Sequence, residues 1–184
     1  MSAPRERVNG ERSMFKRILV PTDGSIRAEH SARAAIELAK FLDASIIVLY
    51  VYPTLHIYPS EPFMAIPPEL MSEKSYAAAQ RKVANRYLGV IDKAARLVGV
   101  RCSPLCIAND SPAAAIVATA GSADTPCDLI FMGSHGRGAF SQLFLGSVTT
   151  KVQVMCDIPV LVYRDPLARD AAKKPKVAKK TKRE

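Results

Sequence analysis

The sequence predicts an α/β protein: an open, five-stranded parallel sheet with helices on both faces. Three observations carry that expectation. Five short runs rich in Val, Ile and Leu alternate with segments of helical periodicity, the order that builds strand–helix–strand units. One of the runs, SIIVLYVY, is a continuous apolar, β-branched stretch, as strands covered on both faces are. Gly, Pro, Asp and Ser collect at the breaks between them, where caps and turns need those residues.

In chain order, KRILVP (16–21) is the first strand, ended by Pro21. DGSIRAEHSARAAIELAKFL (23–42) sets Ile26, Ala34, Ala35, Leu38 and Phe41/Leu42 at helical spacing, with Asp23 and Ser25 as candidate caps. SIIVLYVY (45–52) is the second strand. Residues 53–68 hold five prolines and are expected to form a long loop. From Glu69 to Val98 the pattern is helical, with Gly89 tolerated inside and Gly99 as the C-terminal cap. GVRCSPLCI (99–107) is the third strand, and Pro104, which has no N–H to give a ladder, assigns it to an edge. SPAAAIVATAGSA opens a helix on Ser then Pro. CDLIFMG (127–133) is the fourth strand, SVTTKVQVMC (147–156) a short helix and IPVLVYR (158–164) the fifth strand.

Length and composition bound the rest. A chain of 184 residues, 48% hydrophobic, is expected to form one domain over 15–165, between a disordered segment at 1–14 and a basic, Lys-rich disordered tail at 166–184. No apolar run approaches the roughly 20 residues that span a bilayer, and the charged amino end has no apolar core of a secretory signal. The expectation is a cytoplasmic protein with no membrane partner. Of the net charge of +9, residues 169–184 carry +6. The basic pI therefore belongs mainly to the tail, which reads either as a solvated segment or as a weak, salt-dependent nucleic-acid contact. Cys102, Cys106, Cys127 and Cys156 form no C-x-x-C pair and sit in or beside apolar runs, as packing residues do. His30, His56 and His135 have no metal-ligand spacing.

Parallel sheets of this type bind ligands beyond the carboxyl ends of their strands, where the winding reverses. That directs attention to Pro21–Ser25, to Val51–Pro53 and to the stretch FMGSHGRGAFSQLFLGSVTT (131–150), which holds four of the nine glycines. A phosphate needs converging N–H donors, close backbone approach and a helix N-terminus. Gly133 closes a strand, Gly136 lets the chain turn back, and Gly146–Ser147 opens a helix whose first N–H groups face the loop mouth. A plain strand-to-helix connection with turn glycines and a Ser cap accounts for the same spacing. No Lys follows Gly146, so this is not the Walker-type phosphate loop.

The spacing at Gly133, Gly136, Gly146 and Ser147 is G-2x-G-9x-G-S. With KRILVPTDGS near the amino end and VTTKVQVMCDIPVLVY after the glycines, it resembles the universal stress protein family, in the branch with an ATP-binding motif, over about residues 15–164. The resemblance implies a Rossmann-like sheet of the adenine nucleotide alpha hydrolase type, strand order 3-2-1-4-5, and a homodimer along strand 5. It implies ATP or AMP as ligand, with Pro21, Asp23 and Val51 at the adenosine end. Met132, Gly133 and Gly136 would lie near the ribose and phosphates, and Gly146, Ser147 and Val148 at the phosphate-binding helix start. Arg137 is either a phosphate contact or a solvated loop residue, and Asp23 either a ligand acceptor or a helix cap. His135 has no acidic orienter nearby and reads as packing or ligand contact rather than a general base. Mg²⁺ would enter through bound phosphates. No catalytic residue is expected. The reading is a dimeric nucleotide-responsive regulatory module of the stress response with a protein partner unknown from sequence, against a slow ATPase or a nucleotide-free scaffold.

Overall fold

The computed structural model describes residues 14–56, 72–134 and 145–165. The elements are β1 (Arg17–Thr22), α1 (Ile26–Leu42), β2 (Ser45–Tyr52), α2 (Glu73–Leu97), β3 (Cys102–Ala108), α3 (Pro112–Ala120), β4 (Leu129–Gly133), α4 (Ser147–Met155) and β5 (Val160–Tyr163). The strands form one parallel sheet in the order β3-β2-β1-β4-β5. Fold class and strand order are those expected.

Strand periodicity builds two cores, because successive side chains point to opposite faces. On one face Ile18 and Val20 of β1 pack with Ala32, Ala35 and Ile36 of α1 and with Leu88 and Ile91 of α2. On the other, Leu19 packs with Ile116 of α3 and Val152 of α4. Asp128 pins the two central strands at their amino ends, its carboxylate accepting from the Lys16 and Arg17 N–H groups at 2.7 and 3.1 Å.

The helix boundaries follow their caps. α1 starts after Ser25, whose Oγ accepts from the Ala28 N–H at 3.2 Å. Ser25 is the cap, and Asp23 stays outside the helix. Ser72 and Ser111 cap α2 and α3 in the same way. Gly99, just past α2, holds φ +80°, the left-handed conformation that favours glycine in that position. β3 is an edge strand, as Pro104 predicts. The Ile46 N–H donates to Arg101 O and the Asn109 N–H to Tyr52 O, each at 2.8 Å. Odd-numbered residues of β3 therefore face β2, and Pro104 presents its missing N–H outward, where it blunts the edge against further pairing.

Among the described residues all four cysteines are free. Burial pushes the thiols of Cys102 and Cys127 up to about 11, which keeps them protonated and unreactive. No helix among the described residues is long and apolar enough to cross a membrane. Ser31 on α1 is buried, and its hydroxyl has no hydrogen-bond partner among the described residues. An unpartnered buried hydroxyl is a desolvation cost without return, so Ser31→Ala is expected to stabilise the chain by about 1 kcal/mol, read as a rise in the urea midpoint at unchanged slope.

Candidate functional site

The winding reverses between β1 and β4. β1 pairs with β2 all the way to Thr22↔Tyr50, but with β4 only at Ile18↔Leu129 and Leu19↔Ile130. The β1–β4 ladder ends at Leu19, at the carboxyl side, where the winding reversal of such sheets opens a crevice. Pro21, half-buried, follows on the β4-facing side of β1 and has no N–H to continue the ladder.

The turn after β1 is locked by its own side chains. Asp23 Oδ1 accepts from the Ser25 N–H at 2.9 Å, and Thr22 Oγ1 accepts from the Gly24 N–H at 3.2 Å. The Asp23 carboxylate is thereby fixed, half-buried, at the end of the central strand. Gly24 holds φ +77°, and a Cβ built there would stand 2.5 Å from the Tyr87 ring. Tyr87 of α2 stacks on Tyr50 of β2, with ring centroids 5.9 Å apart.

Across the crevice, β4 is tied to the start of α4. The Thr149 hydroxyl donates to Gly133 O at 3.1 Å, and the Gly146 N–H donates to Ser134 O at 2.8 Å. These two bonds bring the ends of the glycine-rich stretch together, with Thr149 and Ser134 buried. Gly146 is the N-cap residue of α4 at φ −61°, ψ 149°, and no side chain caps it. Ser147 is the first helical residue, not the cap that a plain connection would use. The first-turn N–H groups of a helix have no acceptor within it, and here they carry the positive end of the helix dipole toward the crevice. Val51, Met132 and Val148 all pack on the α3/α4 side of the sheet.

Pro21, Asp23, Val51, Met132, Gly133, Gly146, Ser147 and Val148 thus lie on the ends of β1, β2 and β4 and the start of α4. Gly136 and Arg137, with His135, fall outside the described residues. Sequence reasoning missed Thr149, and it flagged the turn Pro21–Ser25 without singling out Gly24. A hydroxyl three residues past the N-cap glycine was the only signal for the first; the Asp23–Gly24 turn pair was the signal for the second. Among the described residues no group of three or more His, Cys, Asp or Glu side chains gathers to hold a metal ion.

A second polar cluster, also unforeseen, joins the ends of β2 and β3. The Asp110 carboxylate accepts from the Thr54 hydroxyl at 2.7 Å and the Thr54 N–H at 2.8 Å, and lies 2.7 Å from His56 Nε2. The Thr54 hydroxyl first, then His56 and the Thr54 N–H, hold the Asp110 carboxyl down at about 2. A carboxyl lowered by folding contributes stability above its unfolded value, and loses it as pH falls toward the folded one. The destabilisation caused by Asp110→Asn is therefore expected to be present at about pH 5 and to fade toward about pH 2. Urea unfolding of both chains across that range measures it.

Comparison with known proteins places this geometry. The profile of the Universal stress protein family matches residues 14–164. The chain belongs to that family. A universal stress protein of Thermus aquaticus is 33% identical over 151 residues, covering 82% of this chain and all of that one. Among solved structures, the protein MJ0577 of Methanocaldococcus jannaschii superposes with a TM-score of 0.66 at 27% identity, covering 83% of this chain and 97% of that one. Two further universal stress proteins were solved with nucleotides. One, with cAMP, has a TM-score of 0.57 at 19% identity and covers 82% of this chain and 97% of its own. The other, from Archaeoglobus fulgidus with dAMP, has a TM-score of 0.54 at 20% identity and covers 81% of this chain and 98% of its own. At those identities the two show the universal stress protein fold.

Proposed function

We propose that this universal stress protein binds ATP or AMP in the crevice between β1 and β4, and acts as a dimeric, nucleotide-responsive regulatory module of a cytoplasmic stress response. The observation that carries the reading is the start of α4. Its first turn has no side-chain cap, and it is held against the end of β4 by the Thr149–Gly133 and Gly146–Ser134 bonds, beyond the end of the β1–β4 ladder. Uncapped N–H groups at a strand-end crevice suit an anion.

Each residue has a role that its chemistry fits. Asp23 is a fixed acceptor for an adenosine hydroxyl or amine, with Pro21 and Val51 as the apolar wall beside it. Met132 and Gly133 floor the ribose, Gly136 and Arg137 approach the phosphates, and Gly146, Ser147 and Val148 present backbone N–H groups to them. Mg²⁺ would be held by the bound phosphates. Relatives of the same fold solved with cAMP and dAMP support a nucleotide as the ligand class. Pairing through β5 is supported by its apolar edge, where Leu161 is 37% exposed, a surface that a two-fold mate would cover.

Quantifying nucleotide in the purified chain, then following added ATP with time, tests the proposal. Bound adenine nucleotide that persists for hours is the expected result. Steady turnover would make the protein an ATPase instead, and absence of nucleotide with no uptake at millimolar concentration would leave a scaffold. Truncation after Asp165 with a salt titration on DNA tests the tail, whose proposed contact weakens steeply with salt.

A further inference from the structure

Among the described residues, a cavity of about 590 Å³ opens between α1, the carboxyl end of α2 and the residues that end and follow β5. Asp165, the last described residue, stands at its rim. Its Oδ2 lies 2.6 Å from His30 Nδ1 of α1, and its side chain is only 10% exposed. From His30 the lining continues along α1 through Ala34 to Glu37, the i+4 and i+7 positions on one line of the helix. Ala34 packs partly on the core below, and Leu97 of α2, 77% exposed, gives the cavity an apolar wall. Glu37 has no ion pair among the described residues. The groove thus presents an imidazole, an apolar strip and a carboxylate, in that order.

We infer that this groove seats the chain that follows Asp165, with Leu167 on the apolar strip and Arg169 on the Glu37 carboxylate. The chain continues Pro166-Leu167-Ala168-Arg169. Proline at 166 disfavours the helical conformation for Asp165 and holds it extended. In an extended chain alternate side chains share one side, so Asp165, Leu167 and Arg169 turn to the groove together. Each then meets its complement: acid on imidazole, leucine on the apolar strip, guanidinium on carboxylate. The spacing agrees with the order. Two and four extended residues advance roughly 7 and 13 Å, against about 6 and 10 Å along the helix axis from His30 to Ala34 and Glu37. The long arginine side chain absorbs the difference. A second copy or another protein would have to displace a segment that starts already tied at His30, and so acts at high effective concentration. α1 connects the carboxyl end of β1 to the amino end of the parallel β2. A segment laid from His30 to Glu37 therefore delivers the Lys-rich stretch from Lys173 onward at the amino ends of the strands. A polyanion held there leaves the β1–β4 crevice open. This inference goes beyond the nucleotide reading and does not depend on it.

Backbone relaxation of the isotope-labelled full chain is the test. The amides of Leu167, Ala168 and Arg169 are expected to show order parameters near the ~0.85 of a rigid backbone, while those beyond Lys173 fall below about 0.6. Leu167→Asp should bring all three down to the values of the tail and shift the amides of residues 30–37 and 94–98. Glu37→Arg and Arg169→Glu, each of which sets like charges together, should lower the order parameters singly. The double variant, with the pair reversed, should recover most of the loss. None of these changes should alter nucleotide retention. Order parameters below about 0.6 at 167–169 in the parent chain, no response to Leu167→Asp, or a double variant no more ordered than the singles would each overturn the inference. So would order at 167–169 that appears only as protein concentration rises, which would seat the segment on a second copy.

Discussion

Gly146→Val is expected to abolish nucleotide retention while leaving the chain folded. The backbone at Gly146 is φ −61°, ψ 149°, an extended conformation open to any residue. Glycine is therefore not required there for the turn, and its useful property is the missing side chain at the mouth of the α4 N-terminus. A valine costs the cap position about 1 kcal/mol, a small part of a typical domain's stability. Its branched side chain, however, stands where phosphate oxygens must approach the first-turn N–H groups. Loss of those charge-assisted bonds should weaken ATP or AMP by roughly 100-fold or more, read by calorimetry and by nucleotide content after purification. Thr149→Val is the companion measurement. It removes the hydroxyl that ties α4 to Gly133 O while adding nothing at the mouth, so a smaller loss, about tenfold, is expected. Undiminished retention in Gly146→Val would place the nucleotide elsewhere.

Much of the fold was legible because it depends on period and punctuation. Continuous apolar runs such as SIIVLYVY became central strands, and Pro104 marked an edge because the missing N–H has to point away from the ladder. The strand order was not contained in the pattern of runs; it came with the family resemblance. The first helix boundary was blurred because Asp23 and Ser25 are both competent caps. The structure separates them by assigning the helix to Ser25 and the turn to Asp23. Contacts between distant segments were silent in sequence, as with Thr54, His56 and Asp110, which meet only after β2 and β3 pair.

Gly24→Ala is the substitution expected to cost most stability, and it tests whether the turn after β1 is built against α2. Two independent penalties act at one atom. At φ +77° any L-residue is strained, by about 1–2 kcal/mol. The added Cβ would also lie 2.5 Å from the Tyr87 ring, which is stacked on the buried Tyr50 and can retreat only by giving up that contact. Together the loss should reach about 2–4 kcal/mol. A double-mutant cycle separates the two causes. In a Tyr87→Ala background the steric penalty is absent while the backbone strain remains, so Gly24→Ala should cost only about 1–2 kcal/mol there. An unchanged cost would assign the whole effect to φ and remove Tyr87 from the argument. Because Asp23 and Gly24 share one turn, the same cycle read through nucleotide affinity shows whether α2 packing holds the Asp23 carboxylate in place. Affinity that falls with Gly24→Ala and recovers in the double mutant is the expected pattern, since relieving the ring contact returns the turn to its seat at the end of β1.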